Sequence, residues 1–279
     1  MAFPAIHVRD LRKRFHKRRR VRRSSPAAEW ALAGVSFDVA PGETYGLLGP
    51  NGSGKSTLIR ILSTLLIADG GEVRLLGHRL PDEQAQVRWL IGRVSVDAAF
   101  YKKLSTRENL LYTALLYGLK PSVAEPRAMR VLEQLGMEER TFSVPLEEMS
   151  RGMQQKISIA RALMLDPPVL LLDEPTTGLD PKSRRDVQTF LEDLRRREGT
   201  TILLTTHDMA EAERLCARIG FLAHGRLVAE GTAERLKQQA QVATLDDAFI
   251  TLTGETVSEA GQPAGKESPA LVRHRTSLD

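Results

Sequence analysis

A glycine-rich motif between two apolar segments constrains the fold of this chain more than any other feature. Residues 49–56 read GPNGSGKS and match the phosphate-loop pattern G-x-x-x-x-G-K-[ST]. The apolar run from Thr44 to Leu48 predicts a strand before the motif, and the pattern from Ser56 to Leu66 predicts a helix after it. This order of strand, loop and helix is the context in which the motif binds phosphate. The alternative is a glycine-rich turn without a ligand.

The residue types in this loop suit a nucleoside triphosphate with a magnesium ion. Glycines let successive backbone N–H groups converge on phosphate oxygens, and the N-terminus of the following helix adds a partial positive charge. We expect Lys55 to reach the β and γ phosphates and the Ser56 hydroxyl to ligate Mg²⁺. The candidate phosphate-binding residues are Gly49, Pro50, Asn51, Gly52, Ser53, Gly54, Lys55, Ser56 and Thr57.

Two carboxylates follow a second apolar segment. The run from Val169 to Leu172 predicts a buried strand, and Asp173 and Glu174 come directly after it. Open α/β sheets bind ligands at the carboxyl ends of their strands, so both acids are expected near the phosphates. Asp173 suits the magnesium shell, and Glu174 suits a general base that orients the attacking water. Without the phosphate loop, two solvated acids would be the simpler interpretation.

A histidine follows a third predicted strand. His207 comes after the strand from Thr201 to Thr205 and before a helix whose start is marked by Asp208 and Glu211. Its place at the same sheet edge as Asp173 favours contact with the γ-phosphate. A lone surface histidine is the alternative.

Strands that alternate with helices predict an α/β fold with a mainly parallel sheet covered on both faces. Before the phosphate loop, residues 5–11 and 35–39 predict two strands joined across a basic segment. Later in the chain, the stretch from Pro181 to Glu198 predicts a helix. A hairpin is predicted across His224 and Gly225.

The middle of the chain, from residue 100 to 165, is predicted to be almost entirely helical. Ser105 and Glu108 form a capping box, and Pro126 is predicted to open the next helix. Residues 254–279 are rich in polar residues, glycine and proline and poor in apolar ones, so a disordered tail is predicted there.

The positive charge of the chain is concentrated in one segment. Nine lysines and arginines and no acids lie between Arg12 and Arg23, so a formal charge of +5 leaves −4 for all other residues. A solvated loop is one interpretation of this run. Attraction to anionic lipid head groups is a second. Attraction to nucleic-acid phosphates is a third, weakened because few aromatic residues interleave with the basic ones.

Composition excludes several other classes of protein. The single cysteine, Cys216, excludes a disulfide framework and a cysteine-rich zinc module and fits a reducing compartment. No apolar run reaches the ~18 to 20 residues of a membrane span, and the longest, from Leu58 to Ala68, carries Arg60. The start of the sequence predicts no secretory signal.

Residues 149–154 read MSRGMQ. Together with the motifs described above, they make the chain resemble the ATP-binding cassette of ABC transporters. They stand where that family has its Leu-Ser-Gly-Gly-Gln signature, and the resemblance spans residues 5–252. It implies a D-loop at residues 178–180 and a switch-histidine role for His207. The nucleotide contacts that the resemblance adds are Phe15, Ser150, Arg151, Gly152 and Asp180.

The adenine contact has alternatives. The resemblance implies that Phe15 packs against adenine, but Phe15 also suits a core position at a strand end, and Trp30 competes for the base. Residues 150–153 and the ending at residues 245–249, which reads LDDAF, resemble the branch that serves ABC-2 type exporters of drugs and polysaccharides.

The sequence departs from the family pattern at two places. After the predicted strand from Ile91 to Val94 the family has a glutamine that contacts magnesium, whereas this chain has Val96 followed by Asp97. The hypothesis is that Asp97 or a water takes the place of that glutamine. In the signature, Arg151 replaces the first glycine and Met153 replaces glutamine. Arg151 adds a charge-assisted phosphate contact or is only a solvated cation.

The resemblance implies a P-loop ATPase with a mainly parallel central sheet, an N-terminal antiparallel β subdomain and a helical subdomain at about 100–165. It further implies a sandwich of ATP between two cassettes, most simply a homodimer with two-fold symmetry. A separate integral-membrane permease would dock near residues 96–106, with the chain peripheral at the cytoplasmic face of the membrane. ATP is preferred over GTP because no Asn-Lys-x-Asp motif is present.

Two other classes of function remain as alternatives. The first is a soluble ABC-type ATPase acting on nucleic acid or ribosomes, which the basic run favours. A single phosphate loop and the lack of sustained heptads disfavour it, so a nucleic-acid partner is not expected. The second is a small-molecule kinase, which would not need the signature segment.

Overall fold

The computed structural model describes residues 3–15, 29–96 and 99–254 of the 279-residue chain. The strands are β1 Ile6–Phe15, β2 Glu29–Val39, β3 Thr44–Leu48, β4 Gly70–Leu75, β5 His78–Leu80, β6 Ile91–Val94, β7 Val169–Asp173, β8 Thr201–Thr206, β9 Arg218–Ala223 and β10 Arg226–Gly231. The helices are α1 Lys55–Leu62, α2 Gln84–Leu90, α3 Thr106–Leu116, α4 Pro121–Gln134, α5 Arg151–Ala162, α6 Pro181–Glu198, α7 Met209–Leu215, α8 Ala233–Ala240 and α9 Leu245–Thr253.

An antiparallel sheet is formed in the order β2-β1-β4-β5. It confirms the predicted pairing across the basic segment, but β1 reaches Phe15 and β2 begins at Glu29, so both strands are longer than predicted. Asp10 adopts a left-handed φ of 46°, and the register of β1 on β2 shifts between Val8 and Leu11. Such an irregularity interrupts the alternation of buried and exposed residues from which strand length is predicted.

A six-stranded sheet in the order β10-β9-β3-β8-β7-β6 forms the centre of the fold. Every neighbouring pair from β9 to β6 is parallel, and β10 runs antiparallel to β9. This confirms the mainly parallel sheet of an α/β fold and the hairpin across His224 and Gly225. Strands β3, β7 and β8 are buried along their whole length. Their carboxyl ends lie side by side at one edge of the sheet.

The segment between β6 and β7 is helical, as predicted, and has its own apolar cluster. Helices α3, α4 and α5 pack around Leu110, Ala128, Leu132 and Ile157, and two short 3-10 turns join α4 to α5. The capping box at the start of α3 is confirmed: Ser105 accepts from the Glu108 backbone and Glu108 accepts from the Ser105 backbone.

Two predicted helix boundaries are wrong. Helix α4 begins at Pro121, and Pro126 lies inside it. The buried residues Ala124, Ala128 and Leu132 recur every four positions, so their packing holds the helix together through the proline. Helix α1 ends at Leu62, four residues before its predicted end, because Thr64 takes a left-handed φ of 62°.

The predicted disordered tail, apart from Gly254, and the basic run from residue 16 onward lie outside the described residues. The boundaries of the cassette at 5–252, of the helical subdomain at about 100–165 and of the basic insertion at about 12–29 stay predictions. Within residues 3–15, 29–96 and 99–254, no helix combines the length and apolarity needed to cross a bilayer.

Candidate functional site

The phosphate loop lies between β3 and α1 and is enclosed by main chain. A Cβ at Gly49 would collide with the Leu222 carbonyl of β9, and one at Gly54 with the Ala31 carbonyl of β2. Gly54 also has φ 113°, which L side chains rarely adopt. The Gly225 backbone N–H donates to the Ser53 carbonyl at 3.0 Å. The motif therefore needs its glycines for close packing as well as for phosphate access.

Lys55 is buried in this loop and directed at its carbonyl groups. Its Nζ donates to the carbonyl oxygens of Gly49 at 2.7 Å and Pro50 at 3.1 Å, and it lies 3.6 Å from Oε1 of Glu174. Burial lowers the pKa of Lys55, and the charges of Glu174 and Asp173 partly oppose that shift. The ammonium group is thus held where the loop converges, as the phosphate-binding prediction requires.

Ser56 and Asp173 meet across the gap between α1 and β7. The Ser56 hydroxyl donates to Oδ1 of Asp173 at 3.2 Å, and the Thr205 hydroxyl donates to the same oxygen at 2.7 Å. Asp173 and Thr205 are directly paired in the β7–β8 register. The sheet therefore fixes the carboxylate, and the first turn of α1 brings the hydroxyl to it.

The Ser56 hydroxyl and the Asp173 carboxylate are oxygen ligands that fit a magnesium ion. Mg²⁺ prefers hard oxygen ligands and is commonly held by one or two protein groups together with substrate phosphates. Among the described residues, no group of three or more His, Cys, Asp or Glu side chains could hold a metal by itself. A site of this kind suits a metal that arrives with a nucleotide.

Glu174 leaves the end of β7 in a left-handed conformation, with φ 49°. Its backbone N–H donates to the Thr205 carbonyl at 3.0 Å, and its Oε2 accepts from the Thr177 hydroxyl at 3.2 Å. Nδ1 of His207 lies 3.3 Å from the same Oε2, close enough for charge attraction although the two atoms are not aligned as a hydrogen bond. The predicted base and the switch histidine are therefore neighbours.

The two groups shift each other's pKa in opposite directions. The His207 contact lowers the pKa of Glu174 against the effect of its burial, and Glu174 raises the pKa of His207 against its own burial. Glu174 is consequently ionised at neutral pH, which is the form that accepts a proton from water.

The signature residues form a separate surface. Ser150 caps α5 by accepting from the Met153 backbone N–H, and Asp180 caps α6 by accepting from Lys182 and Ser183. Gly152 packs so closely on Ser183 that a Cβ there would collide with its side chain. Among the described residues, no hydrogen bond or ion pair joins this surface to the phosphate loop.

Arg151 is exposed and lies against the D-loop. Its guanidinium group occupies the space that a Cβ at Gly178 would take, at 2.9 Å from Nη1. The glycine, which has φ 72°, thus gives the arginine room to pack flat on the main chain.

The adenine candidates are both half-exposed near the last described pair of β1 and β2, Phe15 and Glu29. Phe15 is 44% exposed and Trp30 is 42% exposed, so the interpretation of Phe15 as a core residue is wrong. Lys13 lies over the Phe15 ring at 5.7 Å, and Arg14 over the Trp30 ring at 5.6 Å. A contact of either ring with adenine stays a prediction.

The hypothesis about the missing glutamine is not tested. Val96 is partly buried just after β6, and Asp97 lies outside the described residues.

Three supporting residues were not predicted from the sequence. The Thr205 hydroxyl holds Asp173, and the Thr177 hydroxyl holds Glu174. The third, Glu211, accepts from the Thr176 hydroxyl at 2.6 Å. A signal for Thr205 is present in the sequence, since it is a hydroxyl that directly follows the apolar residues 202–204 of β8. Glu211 had been interpreted only as part of a helix start.

Comparison with known proteins gives a consistent result. The profile of the family described as ABC transporter matches residues 32–177. The chain is 39% identical over 229 residues to the linearmycin resistance ATP-binding protein LnrL of Bacillus subtilis strain 168, which covers 82% of this chain and 72% of that protein. It is 38% identical over 269 residues to the daunorubicin resistance ATP-binding protein DrrA3 of Streptomyces coeruleorubidus, which covers 92% of this chain and 81% of that protein.

A solved structure also resembles the fold. It is a dimeric ATP-binding cassette in a post-hydrolysis state, bound to ADP and Pi, with a TM-score of 0.72 and 28% sequence identity. The similarity covers 81% of this chain and 98% of that chain.

Proposed function

Because the chain belongs to the ABC transporter family, we propose that it is the ATP-hydrolysing subunit that drives export through a separate membrane protein. The observation that carries this proposal is the convergence of Lys55, Ser56, Asp173, Glu174 and His207 at the carboxyl edge of the six-stranded sheet. The names of the two drug-resistance relatives support the direction of transport.

The chemistry follows from the positions of these side chains. Loop amides and Lys55 bind the phosphates. Ser56 and Asp173 would hold Mg²⁺, which would supply charge neutralisation at the phosphates. The ionised Glu174 accepts a proton from the attacking water. His207, beside Oε2 of Glu174, donates its hydrogen bond toward the γ-phosphate and keeps the base oriented. The Thr177 hydroxyl also donates to Oε2 of Glu174 and so helps to hold that carboxylate in place.

A second copy of the chain is proposed to complete the site. Ser150, Arg151, Gly152 and Asp180 present two helix N-termini on a surface that, within the described part of the chain, shares no hydrogen bond or ion pair with the phosphate loop. Helix N-termini favour anions. These residues would close over the nucleotide of the partner cassette, so ATP joins the two copies and its hydrolysis separates them. The dimeric relative with ADP and Pi supports this arrangement.

The permease is proposed to dock on a cleft between the sheet and the helical segment. The cleft has a volume of about 380 Å³ and is lined by residues 63–65, which follow α1, and by residues of α2, β6, α3 and α5. Beside it, Trp89 and Tyr117 are exposed and pack edge to face at 5.6 Å between ring centroids. The position borders the predicted docking segment at residues 96–106. Docking there would hold the chain peripherally at the cytoplasmic face of the membrane.

The basic run from Arg12 to Arg23 is proposed to strengthen that attachment through anionic lipid head groups. Each basic side chain near such a surface contributes about 1 kcal/mol. Only Arg12, Lys13 and Arg14 lie within the described residues.

The test of the proposed function is Glu174→Gln. Removal of the base is expected to lower kcat for ATP by about 10² to 10⁴, while ATP-dependent dimerisation persists because the nucleotide contacts remain. Phosphate release measures the first effect and light scattering with Mg·ATP the second. The matched control is Glu139→Gln, an exposed glutamate of the helical segment, which should hydrolyse ATP at the wild-type rate. Full activity of Glu174→Gln would exclude it as the base.

A further inference from the structure

A buried carboxyl group connects the two segments that carry the predicted base and the switch histidine. Glu211 lies on α7 and is only 2% exposed. Its Oε1 accepts a hydrogen bond of 2.6 Å from the hydroxyl of Thr176, which is itself 3% exposed. Thr176 is two residues beyond Glu174, and Glu211 is four residues beyond His207. The contact therefore joins the loop after β7 to the helix after β8.

This contact closes a ring of interactions around the reacting groups. On one side, Thr177 donates to Oε2 of Glu174. On the other, Asp208 accepts from the Glu211 backbone N–H at 3.0 Å. In sequence, His207 follows the last residue of β8 and precedes Asp208, and its Nδ1 lies 3.3 Å from Oε2 of Glu174. The register of β7 on β8 ends at Asp173 and Thr205, and beyond it the Glu174 N–H still donates to the Thr205 carbonyl. The β7–β8 register does not extend to Thr176 and Thr177.

The surroundings of Glu211 favour the neutral acid. Oε2 is buried without a hydrogen-bond partner, and although Thr206 and Gln188 lie nearby, neither is aligned with it. Within the described part of the chain no cation forms an ion pair with Glu211. Arg214, on the same helix, donates instead to Gln188 and Glu192. A buried carboxylate without a counter-ion is costly. Burial, with the charge of Asp208 in the same direction, raises the pKa of Glu211.

We propose that Glu211 is a positioning residue for ATP hydrolysis, which holds the loop after β7 against α7 and so keeps His207 beside Glu174. It acts as a neutral acceptor for the Thr176 hydroxyl and does not touch the nucleotide. This inference rests on the proposed roles of Glu174 and His207.

The test compares three substitutions in the full chain, assayed by phosphate release with Mg·ATP. Glu211→Ala is expected to lower kcat about tenfold with KM for ATP within about twofold, because the phosphate loop is untouched. Glu211→Gln keeps an acceptor oxygen of the same reach and is expected to stay within about twofold of wild type. Thr176→Val removes the donor and is expected to match Glu211→Ala. Combined, Thr176→Val and Glu211→Ala should be no slower than either alone.

The matched control is Glu213→Ala on the same helix, whose exposed carboxylate pairs with Lys237 at 3.0 Å. It should leave kcat unchanged. Thermal unfolding of each variant shows whether it is folded. If Glu211→Ala does not fold, the kcat of Thr176→Val is compared with that of Glu211→Gln, which again sets loss of the hydrogen bond against its retention.

Three results would overturn the inference: wild-type kcat in a folded Glu211→Ala, a Glu211→Gln as slow as Glu211→Ala, or a change confined to KM. The proposed function fails separately. It fails if the wild-type chain releases no phosphate or if Glu174→Gln is fully active, whatever the Glu211 variants do.

Discussion

The edge of the six-stranded sheet and the start of α5 are both predicted to approach phosphate, yet their side chains are held very differently. At the sheet edge, Lys55, Asp173 and Glu174 are largely buried, and each contacts another residue of the site. At α5, Ser150 and Arg151 are exposed; Ser150 caps its own helix, and Arg151 lies against Gly178 of the D-loop.

This contrast separates two kinds of contribution to one reaction. The sheet edge is assembled by the fold of a single chain, because three neighbouring strands end there and their register brings the groups together. In the proposed dimer, the surface at α5 would meet the phosphate of a nucleotide bound to the partner cassette. Substitutions at the sheet edge should therefore act on nucleotide binding or chemistry, and substitutions at α5 on association.

The largest effect that would sharpen this comparison is expected for Lys55→Ala. The variant loses a charge-assisted hydrogen bond to phosphate that contributes about 1.5 to 3 kcal/mol, so ATP affinity should fall about 10- to 150-fold. Equilibrium binding of a fluorescent ATP analogue measures it. Lys103→Ala, an exposed lysine of the segment before α3, is the control and should bind normally. Unchanged affinity in Lys55→Ala would remove this lysine from the phosphate site.

Arg151→Ala is expected to have a smaller effect, on dimerisation and not on nucleotide binding. In the Glu174→Gln background, ATP-driven dimerisation should weaken about 5- to 10-fold because one exposed charge is lost from the proposed interface. ATP affinity of the single chain should not change. Arg140→Ala, an exposed arginine of the same segment, should dimerise normally. A fall in single-chain affinity would contradict the separation of the two regions.

The smallest effect concerns the pH dependence of the His207–Glu174 contact. Since Glu174 raises the pKa of His207 above the ordinary 6.5, the stabilisation is complete below that value and is lost as pH rises through the raised pKa. It also needs an ionised Glu174, whose pKa lies below its ordinary 4.5. His207→Gln should therefore lower Tm by about 2 °C near pH 6, and the difference should shrink toward pH 8.5. A difference that grows with pH would contradict this.

The sequence predicted best what local residues determine. Both ends of helix α6 were predicted correctly, because local residues mark them. Asp180 is the N-cap, Pro181 lies in the first turn, and Gly199 is the left-handed C-cap. Pro126 shows the limit of such local rules, since tertiary packing of α4 carried the helix through it. The phosphate loop was equally local, and its glycines were identifiable before the structure.

The contacts around the site could not be predicted in the same way. Thr176 and Glu211 are 35 residues apart in sequence and meet only because β7 and β8 are neighbours. Pairing partners of this kind depend on strand order and register, which one sequence specifies only through the whole fold. The same holds for Thr205 opposite Asp173.

The walls around the phosphate loop have a consequence for nucleotide turnover. Backbone from β2 and β9 lies so close to Gly54 and Gly49 that these two positions cannot move toward those strands unless strands of both sheets also move. The conformational entropy of ordering these two positions is therefore lost when the chain folds and is not subtracted again from the affinity of each arriving nucleotide. In the proposed cycle, product would leave and fresh ATP would enter while both positions stay fixed, and motion would fall to the parts proposed to face the second copy.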